Sequence, residues 1–223
     1  MTGDIVESGS AQEYRLARTE LDRLAIPWYP IPGNHDARAA FIDGFQDRLP
    51  REGDVDRLDG FAQYAVAGLP LRILALDTLV PGEDHGLLTG MRLDWLEAQL
   101  SRHADLPTVI AMHHPPFETA MPLIDGMILH DRGAFAQLIA RHPQVEAIVS
   151  GHIHRAIHGR VAHAQASVAP STAHQIDLAM SQQDPITFNH EPPGLQLHSW
   201  QGRGTWTTHT LPLGDFAGPF TFD

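Results

Sequence analysis

Two histidines lie two residues apart directly after a short apolar run, in the stretch 145–155 (VEAIVSGHIHR). The apolar run is typical of a buried strand, and the glycine after it allows the chain to turn. In extended or turn-like backbone the side chains of residues i and i+2 point to the same side, so His152 and His154 can face one ligand. Two imidazoles on one side suit a metal ion such as zinc, manganese or iron. In a chain with 15 histidines, however, such a pair alone is a weak signal.

Three other short stretches carry side chains of the kinds that bind metals or transfer protons. They are residues 2–4 (TGD), 32–36 (PGNHD) and 112–116 (MHHPP), and the last two follow the apolar runs 28–31 and 108–111. In open α/β sheets, ligands bind outside the carboxyl ends of the strands. Each stretch by itself is compatible with an ordinary turn. Because four strand ends each carry Asp, Asn or His, the interpretation as one shared site is favoured over four unrelated turns.

The rest of the sequence predicts alternating helices and strands, which is typical of an α/β fold. Helices are predicted after a capping box at residues 10–13, from about Arg38, over residues 91–102 and over residues 132–142. Strands are predicted over residues 28–31, 61–67, 71–76, 108–112 and 145–149, and residues 49–60 are predicted to form a loop. Residues 157–170 favour one or two strands, and the tail after residue 171 favours short strands that end in a hairpin.

Taken in order, the four polar stretches resemble the motifs of the calcineurin-like metallophosphoesterases. The matching residues are Gly3-Asp4, Gly33-Asn34-His35-Asp36, His113-His114-Pro115 and Gly151-His152-Ile153-His154. The resemblance is strongest to the bacterial class III cyclic-nucleotide and glycerophosphodiester phosphodiesterases, and it continues through residues 169–175 and 191–194. It implies a four-layer α/β sandwich in which helices flank two central β-sheets.

The family's first motif, Asp-x-His, does not occur anywhere in the sequence. In the family this motif follows a first strand that precedes the Gly-Asp motif, so we expect an N-terminally shortened fold that lacks this strand. The expected parts are a catalytic core over residues 1–165 and a β-rich extension over residues 166–223. The extension is expected to cap the site or to contact a second subunit.

The resemblance also implies which residues bind metal. One ion is expected to be held by Asp4, Asn34, His113 and His152. In the family Asp4 bridges to a second ion, for which His154 is the one other ligand present here. The expected cofactor is therefore a pair of divalent ions (manganese, iron, zinc or cobalt), with a single ion as the alternative for this chain.

His35 and Asp36 are the expected catalytic residues. His35 is expected to protonate the leaving group or to stabilise the charge on the phosphoryl oxygens. Asp36 is expected to orient His35 by accepting a hydrogen bond from its second ring nitrogen. The residues expected to contact the substrate are Asn34, His35 and Arg155.

Two further histidines lie within the resembling stretches. His114 is expected beside the metal rather than on it, because the family uses the first histidine of the His-His-Pro sequence. The role of His174 stays open between a structural one and one close to the metal ligands.

The expected activity is hydrolysis of a small phosphodiester, either a 3′,5′-cyclic nucleotide or a glycerophosphodiester, by attack of a metal-bound hydroxide. One alternative is a weakly active or inactive remnant that binds a single metal and acts as a non-catalytic binding protein. Another is an α/β binding module with an empty site. Both alternatives differ from the first in predicting little or no turnover.

Composition restricts the partners. A net charge of −12 argues against a nucleic acid polymer or an anionic membrane as a partner. It does not argue against a phosphodiester substrate, because divalent ions reverse the field inside one cleft. The absence of cysteine leaves only His, Asp, Asn and Glu as metal ligands. No apolar run approaches the roughly 18 residues of a membrane span and no signal-like start is present, so the expected location is the cytoplasm. The sheet edge left by the missing strand favours a homo-oligomer.

Overall fold

The computed structural model describes residues 1–51, 53–66 and 68–222. Its helices are α1 (Ala11–Leu21), α2 (Arg38–Phe45), α3 (Met91–Arg102) and α4 (Arg132–Ala140), with a 3-10 turn at Ile124–Gly126. Its strands are β1 (Arg57–Leu58), β2 (Gln63–Val66), β3 (Arg72–Ala75), β4 (Thr108–Ala111), β5 (Val145–Ser150), β6 (Ile157–Val161), β7 (Ala164–Val168), β8 (Gln175–Ile176), β9 (Phe188–Asn189), β10 (Gly194–Ser199) and β11 (Thr207–Pro212).

Seven of these strands form one sheet in the order β1-β2-β3-β4-β5-β7-β6. Strands β3, β4, β5 and β7 run parallel, whereas β1, β2 and β6 pair antiparallel at the two edges. Ala111 of β4 lies opposite Val149 of β5, so these two strands end side by side. The residues that follow them, including His113 and His152, therefore emerge at the same edge of the sheet.

The two faces of the sheet bury different clusters of side chains. Leu74, Ile110 and Ile148 of the central strands belong to one cluster, which also contains Leu96 of α3 and Leu138 of α4. On the other face, Tyr64, Val66 and Ala75 pack with Ile31 and Leu49. A third cluster joins α1 to α2 through Tyr14, Phe41 and Phe45. The segment that carries residues 32–36 is thus fixed from both sides.

Most of the predicted helices are confirmed. The capping box is present, because the Ser10 hydroxyl accepts from the Glu13 amide and the Glu13 carboxylate accepts from the Ser10 amide. Helices α2 and α3 begin at the predicted residues, and α4 ends two residues earlier than predicted. No helix among residues 1–51, 53–66 and 68–222 is long and apolar enough to cross a bilayer.

The prediction of a strand over residues 28–31 is wrong. This segment is extended, and it exchanges two hydrogen bonds with Met1: the Met1 amine donates to the Tyr29 carbonyl at 2.9 Å, and the Ile31 amide donates to the Met1 carbonyl at 3.3 Å. It joins no sheet among the described residues. The physical reason is the alternating prolines Pro30 and Pro32, which have no amide hydrogen to donate to a ladder.

The antiparallel pair predicted over residues 61–67 and 71–76 is confirmed as β2 and β3, although residue 67 lies outside the described residues. The prediction of a loop over residues 49–60 is wrong at Arg57–Leu58, which pairs with β2. The predicted terminal hairpin is confirmed as β10 and β11, and the region 157–170 forms the predicted strands β6 and β7. The expected boundary after residue 165 lies inside β7, and the division into two parts stays a prediction.

Because α3 covers the sheet below the site, we predict that Leu96→Ala destabilises the fold. Leu96 is fully buried, and the change removes three side-chain carbons and leaves a cavity. The expected loss is about 2–5 kcal/mol of unfolding free energy, measured by urea denaturation. Leu16→Ala in α1 is the matched control, since Leu16 is 63% exposed. Equal losses in both variants would contradict the assigned packing.

Candidate metal centre

His113 lies two positions after the end of β4, and its ring is almost fully buried. Its Nδ1 atom is 2.7 Å from the backbone carbonyl oxygen of Thr2. Because a carbonyl oxygen only accepts hydrogen bonds, Nδ1 carries a proton and donates it. When the ring is neutral, the other nitrogen, Nε2, therefore directs its lone pair into the site.

Three other ligand-type atoms surround Nε2 of His113. Asn34 Oδ1 lies at 3.0 Å, His152 Nδ1 at 3.1 Å and Asp4 Oδ2 at 3.2 Å. Two atoms that bind one ion at about 2.1 Å, with angles of about 90–110° between them, are about 3.0–3.4 Å apart. The structure therefore brings the four predicted ligands of the first ion together, at a spacing that suits a common cation.

His152 is oriented in the same way as His113. Its Nε2 lies 3.1 Å from the Met127 carbonyl oxygen, so this nitrogen donates outward and Nδ1 keeps its lone pair toward the centre. Metal-binding histidines usually donate their outer N–H to a carbonyl or carboxylate, which fixes the tautomer and the ring plane. Both histidines of the centre satisfy this condition.

The donor set itself fits a cation. When both rings are neutral, four lone-pair atoms of Asp4, Asn34, His113 and His152 face one another and no hydrogen lies among them. Such atoms repel one another unless a positive charge lies between them. A metal ion satisfies all four atoms at once, and in the metal-free protein a proton on Nε2 of His113 supplies part of that charge.

The charges of Asp4 and His113 support each other. Burial alone raises the pKa of Asp4, but the His113 charge and hydrogen bond outweigh it, and the pKa lies well below its usual value. Burial alone lowers the pKa of His113, but the Asp4 carboxylate reverses this and raises it. Burial lowers the pKa of His152 to about 3, so this ring is neutral and its nitrogen is free for a metal.

The backbone at the predicted ligands is strained. Asp4, His152 and His154 have φ values of 49°, 71° and 51°, a region that side chains with a Cβ rarely adopt. They are three of the five described non-glycine residues with positive φ. Strain of this kind collects at functional sites, where the surrounding structure has to enforce it.

The motif glycines are needed because other side chains occupy the space of a Cβ. A Cβ on Gly3 would overlap the His113 ring, and a Cβ on Gly33 would overlap Asp4 Oδ1 and come within 2.7 Å of His113 Cε1. Glycine at these two positions allows the loops that carry Asp4 and Asn34 to approach His113.

A cavity of about 520 Å³ is lined by three of the four predicted ligands, Asp4, His113 and His152, and by His154. Residues 169–172 also line it, together with Gly194, Leu195, Gln196 and His198 of β10. The carboxyl end of the sheet and the terminal hairpin thus enclose one space next to the centre.

Comparison with known proteins agrees with this geometry. The profile of the family described as calcineurin-like phosphoesterase matches residues 1–156, which is more than half of the chain. The chain belongs to the calcineurin-like phosphoesterase family. The family predicted from the motifs is therefore confirmed, and divalent metal binding is a property of that family.

Individual relatives match most of the chain. A probable glycerophosphodiester phosphodiesterase of Arcobacter nitrofigilis is 33% identical over 222 residues, which cover 99% of this chain and 80% of that protein. A 3′,5′-cyclic-nucleotide phosphodiesterase of Nostoc sp. is 32% identical over 219 residues, which cover 96% of this chain and 77% of that protein. A solved dimetal phosphatase from Danio rerio has a TM-score of 0.62 at 16% identity, over 95% of this chain and 82% of that chain. The predicted α/β fold is thus confirmed.

Asp36, a motif residue of this phosphoesterase, does not contact His35 as predicted. Its Oδ2 accepts from the Gly33 amide at 2.8 Å and from the Ile5 amide at 3.2 Å, and its Oδ1 accepts from the Tyr14 hydroxyl at 2.9 Å. The prediction that Asp36 orients the His35 ring is therefore wrong. The carboxylate turns inward because the backbone amides of its own turn offer closer donors. It ties the Asp4 loop to the Asn34 loop, and burial raises its pKa.

His35 lies at the rim of the centre rather than inside it. Its side chain is 44% exposed, and its Nδ1 is 3.2 Å from the Glu7 carbonyl oxygen. Its backbone amide donates to Asp4 Oδ1 at 3.0 Å, which anchors the residue next to the ligands. Its catalytic role stays a prediction, and the Glu7 carbonyl replaces Asp36 as the partner of its ring.

His154 lies on the cavity side of the same turn as His152. Its Nδ1 is buried and has no hydrogen-bond partner, and its ring packs edge-on against His174 with 4.7 Å between ring centres. The predicted ligand role of His154 is thus compatible with its unpaired nitrogen and stays a prediction. His174 lies beside a predicted ligand, which the sequence left open.

Arg155 points away from the four ligands, toward the terminal part of the chain. Its Nη1 donates to the Ile176 carbonyl oxygen at 2.5 Å and lies 3.3 Å from a Glu191 carboxylate oxygen. Both contacts occupy the guanidinium group and tie the His154 turn to β8. A direct contact with substrate, as predicted, would require Arg155 to leave these partners.

Sequence patterns missed the groups that fix the two histidines. The outer partners are backbone carbonyls of Thr2 and Met127, and a backbone atom has no residue signature. Tyr14 is buried on α1, and its bond to Asp36 depends on the distance between α1 and the loop, which the sequence does not give. One nitrogen of each of the rings of His113, His114 and His152 lies within 4.8 Å of the others, so His114 is close enough to share an ion and its expected place beside the metal stays a prediction.

We predict that Tyr14→Phe loosens the loop of Asp36. The change removes two hydrogen bonds, since the hydroxyl donates to Asp36 Oδ1 at 2.9 Å and accepts from the Ala37 amide at 3.0 Å. Asp36 Oδ1 is left unpaired in a buried position and the Ala37 amide loses its acceptor, so the expected loss of unfolding free energy is about 1–3 kcal/mol in urea denaturation. Tyr29→Phe is the matched control, because the Tyr29 hydroxyl makes no hydrogen bond in the described structure. A Tyr14→Phe protein as stable as this control would contradict the assigned bonds.

Proposed function

We propose that this protein is a metal-dependent phosphodiesterase that hydrolyses a small phosphodiester. The observation that carries the proposal is the meeting of Asp4, Asn34, His113 and His152, whose ligand-type atoms lie 3.0–3.2 Å from Nε2 of His113. The names of the matched relatives, which include glycerophosphodiester and cyclic-nucleotide phosphodiesterases, support the substrate class.

The chain's own residues prepare this site for a divalent ion. When bound, such an ion supplies Lewis acidity and makes a bound water nucleophilic near neutral pH. Asp4 contributes the one negative charge among the four ligands, and Asn34 contributes a neutral oxygen. The two neutral imidazoles leave most of the cation's charge available to a phosphodiester. The Thr2 and Met127 carbonyls hold both rings so that this arrangement exists before substrate arrives.

His35 is proposed to give a proton to the leaving alkoxide. It is next to Asn34 in sequence, its amide is fixed by Asp4, and its ring is exposed enough to meet a substrate at the rim. General acid catalysis by a positioned histidine contributes roughly 10²–10⁴-fold to a rate. Asp36 acts on the other side of the loop, by holding the backbone that positions His35 and Asn34.

The cavity suits a small substrate. Its volume of about 520 Å³ falls within the usual range of roughly 300–1,000 Å³ for small-molecule sites. Since β10 lines the same cavity as Asp4, His113 and His152, we propose that residues 166–223 cap the site and contribute to substrate choice. Both a 3′,5′-cyclic nucleotide and a glycerophosphodiester contain the diester that this site requires.

A single-ion site is the second candidate. The chain contains no Asp-x-His sequence, and Asp4 and His154 are the remaining candidates for a second ion. A protein of this kind binds one divalent ion and acts as a non-catalytic binding protein. Turnover with the bound metal distinguishes the two candidates, since the first predicts hydrolysis and the second predicts none.

We predict that Asn34→Ala and His113→Ala each abolish turnover of bis(p-nitrophenyl) phosphate in the presence of manganese. Each change removes one of four ligands, so the expected loss is more than about 100-fold, beyond the typical effect of changing an outer partner. The release of nitrophenolate measures the rate. His158→Ala is the matched control, because His158 lies exposed on β6, outside the part proposed to cap the site, and should leave the rate unchanged.

Two results would count against the proposal. A normal rate in either Asn34→Ala or His113→Ala would remove that residue from the site. A wild-type protein that binds one manganese ion per chain and shows no turnover would favour the non-catalytic candidate.

A further inference from the structure

Thr78 lies at the carboxyl end of β3, next to the strand that leads to His113. Its neighbour Asp77 is fully buried and forms a salt bridge with Arg38 at 2.7 Å, and the Ala62 and Leu79 amides also donate to the Asp77 carboxylate. The backbone at Thr78 is therefore held by contacts with several other segments. The Thr78 hydroxyl is therefore attached to a well-fixed backbone.

The Thr78 hydroxyl contacts the imidazole of His114. Its Oγ1 lies 2.7 Å from Nδ1, and both residues are fully buried. The His114 ring in turn packs against both histidines of the candidate centre, with 4.8 Å between ring centres to His113 and 4.6 Å to His152. One hydroxyl thus fixes a ring that touches two of the four predicted ligands.

Gly86 closes the space on another side of His114. A Cβ at this position would lie 2.5 Å from the Cγ and Nδ1 atoms of the ring. Gly86 forms a bridge with Leu129, two residues after Met127, whose carbonyl accepts from His152. The slot around His114 and the loop that orients His152 are therefore parts of one packed unit.

We propose that Thr78 is a positioning residue of the metal centre and acts through His114. Its hydroxyl fixes the plane of the His114 ring, and this ring fixes the angles at which His113 and His152 face the cation. The proposal rests on the metal centre proposed above. A binding site requires its ligands to be held within about 0.5 Å and 10–20° of the productive geometry, which takes both packing and supporting hydrogen bonds such as the one between Thr78 and His114.

The test is a cobalt titration of the whole chain, in which visible absorption reports both the affinity and the ligand geometry. Thr78→Val removes the hydroxyl and keeps the shape. We expect it to weaken cobalt binding roughly tenfold, as outer partners of ligands do, and to change the absorption band. Thr78→Ser keeps a hydroxyl and is expected to restore both the affinity and the band.

Thr108→Val is the matched control. Thr108 is also buried, but its hydroxyl donates to the Leu106 carbonyl at 2.9 Å, at the opposite end of β4 from His113. We expect this variant to lose some stability in thermal unfolding of the metal-free protein and to keep the wild-type cobalt affinity and band. That result would show that the loss of a buried hydroxyl elsewhere in the fold does not by itself change the metal centre.

His114→Phe tests the same pathway from its other end. It keeps an aromatic ring in the slot but cannot bond to Thr78, so it should weaken cobalt binding as Thr78→Val does. The double variant should bind no more weakly than either single one, because both act through one contact.

Three results would overturn the proposal. A Thr78→Val protein with the affinity and band of Thr108→Val would show that the hydroxyl is purely structural, and additive losses in the double variant would show that Thr78 and His114 act separately. A wild-type protein that takes up no cobalt would contradict the metal centre itself. Failure of the metal centre can be distinguished from failure of the Thr78 proposal, because it is seen with the wild-type protein before any variant is compared.

Discussion

The site depends on a concentration of lone pairs around one nitrogen. Backbone carbonyls of Thr2 and Met127 take the outer protons of His113 and His152, which leaves the inner nitrogens facing the oxygens of Asp4 and Asn34. Such a group of atoms is unfavourable by itself and favourable around a cation. The pKa shifts of Asp4 and His113 have the same origin, because the Asp4 carboxylate and a positive charge at Nε2 of His113 stabilise each other.

The sheet makes this concentration possible. Parallel strands β4 and β5 end side by side, so His113 and His152 leave the same edge. Gly3 and Gly33 allow the other two loops to approach, and Asp36 joins these loops through backbone amides. The positive φ values at Asp4 and His152 are a cost of this approach, which the surrounding packing has to offset. Thr78 and His114 extend the same rigid support to the neighbouring strand.

The meeting of Asp4, Asn34, His113 and His152 could be predicted from sequence because each one follows a recognisable strand or motif glycine, and because the order of the motifs matches one family. The hydrogen-bond partners of Asp36 could not be predicted. They are backbone amides and the Tyr14 hydroxyl of α1, which only the folded chain brings near. The apolar residues at 28–31 suggested a strand, but Pro30 and Pro32 lack the donors that a ladder needs. Side-chain chemistry was thus visible in the sequence, whereas partners on the backbone were not.

The most direct measurement is anomalous diffraction from crystals of this protein soaked in manganese. The account predicts an anomalous peak about 2.1 Å from Asp4 Oδ2, Asn34 Oδ1, His113 Nε2 and His152 Nδ1, with both outer histidine nitrogens still bonded to Thr2 and Met127. A manganese ion bound elsewhere, or no peak near His113 at a concentration that saturates the protein in solution, would contradict it.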